Sequence, residues 1–178
     1  MKKLINIVSA ALLTLILGGC ANQFEQAVKL APIAMSPKLL MSVKNITVSD
    51  SRAQQAMAMV NSSEFMEVTN ISKLVSPWLK NTLKTSSNGR NNLNFDITTA
   101  TSYIKQYAMS FESEAVLEWT VTLESANRTW KKSYQTGINQ DGPMKFSQED
   151  VTKNMNLMLS TLLERTLQDE EFQKALSR

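Results

Sequence analysis

The side chains able to do chemistry in this 178-residue chain are few. Cys20 is the single cysteine, and a thiolate is the strongest ordinary nucleophile near neutral pH. Ser102-Tyr103-Ile104-Lys105 matches S-x-x-K, a pattern in which serine and lysine meet on one helical turn. Glu112 and Glu114 sit two apart, the spacing that puts paired carboxylates on one strand face. Asp169-Glu170-Glu171 is an acidic run that could hold a cation or start a helix. The chain has no histidine, which removes the usual general base and the commonest transition-metal ligand. One cysteine excludes an internal disulfide and any multi-cysteine metal site.

Cys20 has the most informative surroundings. Met1-Lys2-Lys3 is a basic start, and Leu4 to Leu17 is largely apolar. That run is shorter than the ~20 residues of a comfortable membrane span, but it suits the hydrophobic part of a signal peptide. Leu17-Gly18-Gly19-Cys20 follows. It resembles the lipobox of bacterial lipoproteins, which reads Leu, small, small, Cys. The resemblance implies that signal peptidase II cuts between Gly19 and Cys20. It also implies an S-diacylglyceryl group and an N-acyl chain on Cys20, and no other cofactor. One acyl chain binds a bilayer with a constant of only roughly 10⁴ M⁻¹, whereas several chains hold durably. Ala21, rather than Asp, follows the cysteine, which in similar lipoproteins implies the outer membrane, periplasmic side.

Cleavage changes the charge. Removing 19 residues from 178 leaves 159, and Lys2 and Lys3 leave with them. The formal charge falls from +3, and 17 basic residues then face 16 acidic ones. The basic balance is largely a targeting feature, and a nucleic-acid partner loses its support.

The remaining elements follow from periodicity. Residues 20–38, interrupted by Pro32 and Pro37, read as a tether. Residues 39–178 read as one domain. Leu39 to Asp50 suggests a first strand, Ser51 to Asn61 a helical turn or loop, and Phe65 to Val68 a short strand. Ile71 to Lys84 has helical spacing, with Pro77 either inside it or at its first position after Ser76. Leu93, Phe95 and Ile97 alternate with polar partners, and the run continues through Tyr103 and Tyr107. Ala115 to Leu123 gives the clearest strand, and Ser125 to Arg128 turns the chain into Trp130 to Asn139. Asp141-Gly142-Pro143 ends that strand. Ser147 and Asp150 form a capping-box-like start for a helix that carries Val151, Met155, Met158, Leu159, Leu162 and Leu163 on one face. Asp169 to Ser177 reads as a short further helix. The fold class is α+β: a mostly antiparallel sheet of about four strands with two main helices on one face.

In this setting the S-x-x-K match falls on a strand, where positions i and i+3 face opposite ways. The acidic pair at Glu112 and Glu114 reads as strand solvation, and Asp169-Glu170-Glu171 as a helix start. Lys131-Lys132 reads as a solvated edge. Trp119, Trp130 and Tyr134 are placed to cluster across a hairpin, as a core plate or, if exposed, as a partner platform.

The order of elements resembles a known family. The lipobox, the strand ending at Val48-Ser49-Asp50-Ser51-Arg52, Lys132-Ser133-Tyr134-Gln135 through Gly137, Phe146, and the helices at 151–163 and 169–176 are similar to the YajG-type outer-membrane lipoproteins. That resemblance implies a cell-envelope lipoprotein and carries over no catalytic residue. Three functions are compared: a non-enzymatic lipoprotein that binds an envelope protein, a ligand-binding auxiliary lipoprotein of a lipid or lipopolysaccharide transport system, and an enzyme on peptidoglycan. The second needs an apolar groove open near Met155 and Trp119. The third, with the least support, needs polar groups converging in a pocket.

Overall fold

A computed structural model describes residues 42–67, 70–83 and 85–177, side chains at 64–67 aside. The lipobox, the cleavage site and the tether lie outside the described residues.

Six strands form one sheet: β1 (Val43–Asp50), β2 (Ala56–Val60), β3 (Ser63–Glu67), β4 (Asn91–Gln106), β5 (Ser110–Ser125) and β6 (Arg128–Pro143). Three helices join them: α1 (Ser72–Thr82), α2 (Gln148–Gln168) and α3 (Glu170–Ser177). The order is β3-β2-β4-β5-β6, and β1 lies beside the first half of β4. The class is α+β as expected, with the two main helices and the short further one at its end, but the described residues form six strands where about four were expected. The β4–β5 and β5–β6 pairs are antiparallel, whereas β1 and β2 both run parallel to β4.

The clearest sequence signal gives the clearest strand. Ala115, Leu117, Trp119 and Val121 are fully buried on one face of β5. Trp119 meets Phe95 edge-on at 5.0 Å between centroids and donates from Nε1 to Thr166 Oγ1 at 3.2 Å. That bond satisfies the indole N–H, so the ring can be buried under α2 without a stranded donor. α2 is started by the expected capping box: Ser147 Oγ accepts from the Asp150 amide, and the Asp150 carboxylate accepts from the Ser147 amide. Met155, Met158, Leu159, Leu162 and Leu163 then fill the space above β5.

Two expectations need correction, and one open alternative is decided. Ser51 to Asn61 is neither helical turn nor plain loop, because residues 56–60 are β2. Its Ala/Met composition favours helix, but pairing decides: Ala58 to Val60 match Ser102 to Ile104, and Val60 closes on Ser63. Asn61 and Ser62 both have positive φ, 49° and 69°, as a tight primed hairpin turn requires. Secondly, of the two positions open to Pro77, the structure takes the one inside α1. It stands on the exposed side, where the carbonyl its ring leaves unpaired can meet water, while Val75, Trp78 and Leu79 are buried. Thirdly, the alternation in β4 changes phase. Register shifts between Ile97 and Thr99. Leu93, Phe95 and Ile97 point into the core, and beyond the bulge Ala100, Ser102 and Ile104 do so instead. Tyr103 is thereby turned outward and is 51 % exposed. The β6 strand also runs to Pro143, past the expected end at Asp141.

The base of the sheet is where the described chain begins. Ser42 O accepts from the amides of Arg90 and Asn91, at the start of β4. Gly89 passes so close to the Val43 backbone that a Cβ there would collide with it.

Candidate functional site

The sequence candidates fall in different places. Cys20, Gly19 and Leu17 are outside the described residues. Ser102 is buried on the core face of β4 and Lys105 is exposed on the other, so the S-x-x-K pair does not meet. Asp169 starts α3: its Oδ1 accepts from the Glu171 amide at 2.8 Å. Among the described residues, no three His, Cys, Asp or Glu side chains form a metal-holding group. No described helix is long and apolar enough to cross a membrane.

Lys132 is not the solvated edge residue expected. Its Nζ lies 2.8 Å from Asp169 Oδ2 and 2.9 Å from Glu171 Oε2. Tyr134 Oη also donates to Asp169 Oδ2 at 2.8 Å. These contacts fasten α3 to β6. Burial would raise the Asp169 carboxyl, but Lys132, Tyr134 and the Glu171 amide hold it below the usual carboxylate range. Burial, then the bond to Asp169, pushes the Tyr134 phenol well above its ordinary value. The aromatic trio is split accordingly. Trp119 is core, whereas Tyr134 and Trp130 are half-buried, and Trp130 packs on Phe172 at 5.6 Å.

The Asp50-Ser51-Arg52 stretch forms a buried joint. Arg52 donates from Nε to Asp50 Oδ1 at 2.8 Å and from Nη2 to Oδ2 at 2.9 Å. The Ile71 amide, at the start of α1, donates to the same Oδ2 at 3.0 Å. Arg52 reaches Gln55 O with Nη1. One forked pair thus ties the end of β1, the 51–55 crossing and the first turn of α1. Burial would raise the Asp50 carboxyl, but Arg52 and the Ile71 amide keep it below the ordinary value.

The space between helices and sheet is filled at the place where a lipid groove was expected. Trp119 is 0 % exposed and Met155 2 %. An opening of about 400 Å³ remains at the hairpin end, by Leu123, Trp130 and Ala175, but Arg128, Glu171 and Lys174 rim it. The lipid-carrier reading therefore loses its required groove near Met155.

The other sheet face carries a trough of about 530 Å³ at the far end of β4. Lys105 faces Glu112, which faces Asp141, and Tyr103 faces Glu114, which faces Asn139. All these side chains are exposed, so the carboxylates lack the water-excluded setting that catalytic acids and bases use.

Beside the trough is a tip that sequence reasoning missed. Tyr107 is 48 % exposed, Met109 82 % and Met144 76 %. Gln106 holds their backbone together. The two hydrogens of its Nε2 are shared among Tyr107 O, Ser110 O and Met144 O at 2.9, 2.9 and 3.2 Å, and its Oε1 accepts from the Phe146 amide at 2.9 Å. Met144 has φ 74°, a left-handed backbone unusual for a side-chain-bearing residue.

These features define a small α+β domain with a clamped base, a filled core and a sheet face that no other described element covers. The family model described as uncharacterized lipoprotein, Lipoprotein_16, matches residues 35–177, and the chain belongs to that family. It is accordingly a lipoprotein of the cell envelope. Its fold is similar to the crystal structure of protein XCC0632 from Xanthomonas campestris, of family DUF330. The TM-score is 0.50 at 10 % identity, over 79 % of this chain and 89 % of that one. A crystal structure of an uncharacterized protein is less similar, with a TM-score of 0.40 at 11 % identity, over 71 % and 89 % of the two chains. No curated protein matches the sequence.

Proposed function

We propose that the protein is an outer-membrane lipoprotein that acts by binding another envelope component, not by catalysis. Residues 1–19 are removed, Cys20 carries the lipid, residues 20–38 are the tether, and residues 39–178 face the periplasm. The observation that carries this reading is the lipobox Leu17-Gly18-Gly19-Cys20 ahead of a domain that matches a lipoprotein family over residues 35–177. Ala21 favours the outer membrane. The binding role is supported by the exposed side chains at the end of the sheet, and the non-enzymatic reading by the exposure of Glu112 and Glu114 and the separation of Ser102 from Lys105. The test is labelling with palmitate in growing cells. Wild type takes up label and a Cys20→Ser variant takes up none; equal labelling of the two refutes the anchor.

A further inference from the structure

Four of the five large apolar side chains exposed among the described residues (Tyr103, Tyr107, Met109 and Met144) lie at one end of the sheet. Exposed apolar groups gathered in one place mark interaction sites far more often than scattered ones do. Three structural devices place them there. The bulge at Ile97/Thr99 turns Tyr103 outward. The Gln106 side chain fixes the carbonyls of Tyr107, Ser110 and Met144. Met144 itself is held at φ 74°. The same glutamine seats the buried Phe146, yet Met144 beside it is left exposed in the left-handed region, and such outliers cluster at functional sites. A rigid tip also loses little freedom on binding.

We propose that this tip and the trough beside it form a docking surface for a basic segment of another envelope protein. The inference rests on the reading of the chain as a lipid-anchored binding protein. Two observations select the occupant. Glu112, Glu114 and Asp141 line the trough against Lys105, so its charge is negative. It attracts lysine or arginine side chains, for which the Tyr103 ring is a further cation-binding face. The same charge repels anionic headgroups, and a second copy would bring carboxylates against carboxylates. The tip is also remote from the start of the described chain. The described chain begins at Ser42, bonded to the start of β4, and β4 then runs 16 residues to Gln106. The tip is therefore roughly 50 Å along the sheet from Ser42. The methionines suit an apolar part of the partner, since their flexible thioethers adapt to its shape.

The experiment places a photo-crosslinking phenylalanine at Tyr107, Met109 or, as an exposed control on α2, Leu157 (54 % exposed). The full-length chain is expressed in intact cells and the adducts are identified by mass spectrometry. The expected result is an adduct with a different protein from Tyr107 and Met109 and none from Leu157. The adduct peptide carries Lys or Arg, and yield falls about fivefold or more in Glu112→Lys/Glu114→Lys. Both substituted residues are exposed, and an unchanged melting temperature confirms that the variant folds. An adduct with phospholipid, with a second copy or with the chain's own residues 20–41 overturns the proposal. So does a yield indifferent to charge reversal, or no adduct at all from a palmitate-labelled protein. A Tyr107 adduct with these properties in a chain that takes up no palmitate leaves the docking surface standing and overturns the anchor alone.

Discussion

Replacing Asp50 by Ala should destabilise the domain by about 3–5 kcal/mol, the cost of removing one partner from a buried ion pair. The structure sets the terms. The Arg52 side chain is 1 % exposed and that of Asp50 7 %. Without Asp50, the guanidinium loses both bonds of its fork. The fork is the tightest of its described contacts: those to Gln55 are 3.4 Å to the carbonyl and 3.5 Å to Oε1. The Ile71 amide loses its acceptor at the same time. An unsatisfied buried donor alone costs about 1–3 kcal/mol, and these losses overlap, so they are not summed. The total is a large fraction of the ~5–15 kcal/mol that holds a typical domain. The assay is urea unfolding of the soluble Cys20→Ser chain, followed by the fluorescence of the buried Trp78 and Trp119. With a slope of roughly 1–3 kcal/mol per molar urea, the midpoint moves by ~1 M or more. The companion variant is Asp50→Ala/Arg52→Met, which removes the buried guanidinium together with its carboxylate and should recover part of the loss. A loss below ~1 kcal/mol in Asp50→Ala, or a double variant less stable than the single one, refutes the account of the joint.

Other expectations follow from the same geometry. Asp50 and Asp169 are held below the ordinary carboxylate range. Their contribution is present above an unfolded value of about 3.9 and is lost as pH falls through the folded value, so Asp50→Asn should flatten the acid limb of the stability–pH curve. At the alkaline end, Tyr134 and Lys132 are both raised, so stability falls as pH rises above about 10, and Tyr134→Phe should reduce that fall in thermal melts. Met144→Gly relieves the left-handed backbone and should raise stability by about 1 kcal/mol, measured by urea unfolding, while lowering the Tyr107 photoadduct. Ala21→Asp should move the protein from the outer- to the inner-membrane band of a density gradient.

What could be read from the sequence was local. Alternation through Ala115 to Leu123 gave β5, and Ser147 with Asp150 marked the start of α2, because strand faces and caps depend on near neighbours. The features of the surface depended on distant ones. An extra residue between Ile97 and Thr99 inverts the faces of everything after it, and no alternation pattern announces it. β2 has an Ala/Met composition and exists because β4 and β3 pair with it. Lys132 finds its carboxylates 37 and 39 residues on, at Asp169 and Glu171. Asp50 and Arg52 were visible as a stretch, but not as a buried joint with Ile71. The tip depends on one glutamine holding three carbonyls together, which no spacing rule encodes.

Placement on the membrane rests on Cys20, and the mass of the intact protein extracted from envelopes tests it most directly. The account predicts a chain that begins at residue 20, heavier than residues 20–178 by a diacylglyceryl group and one acyl chain. A chain that retains residues 1–19, or one that begins elsewhere without lipid, would contradict it.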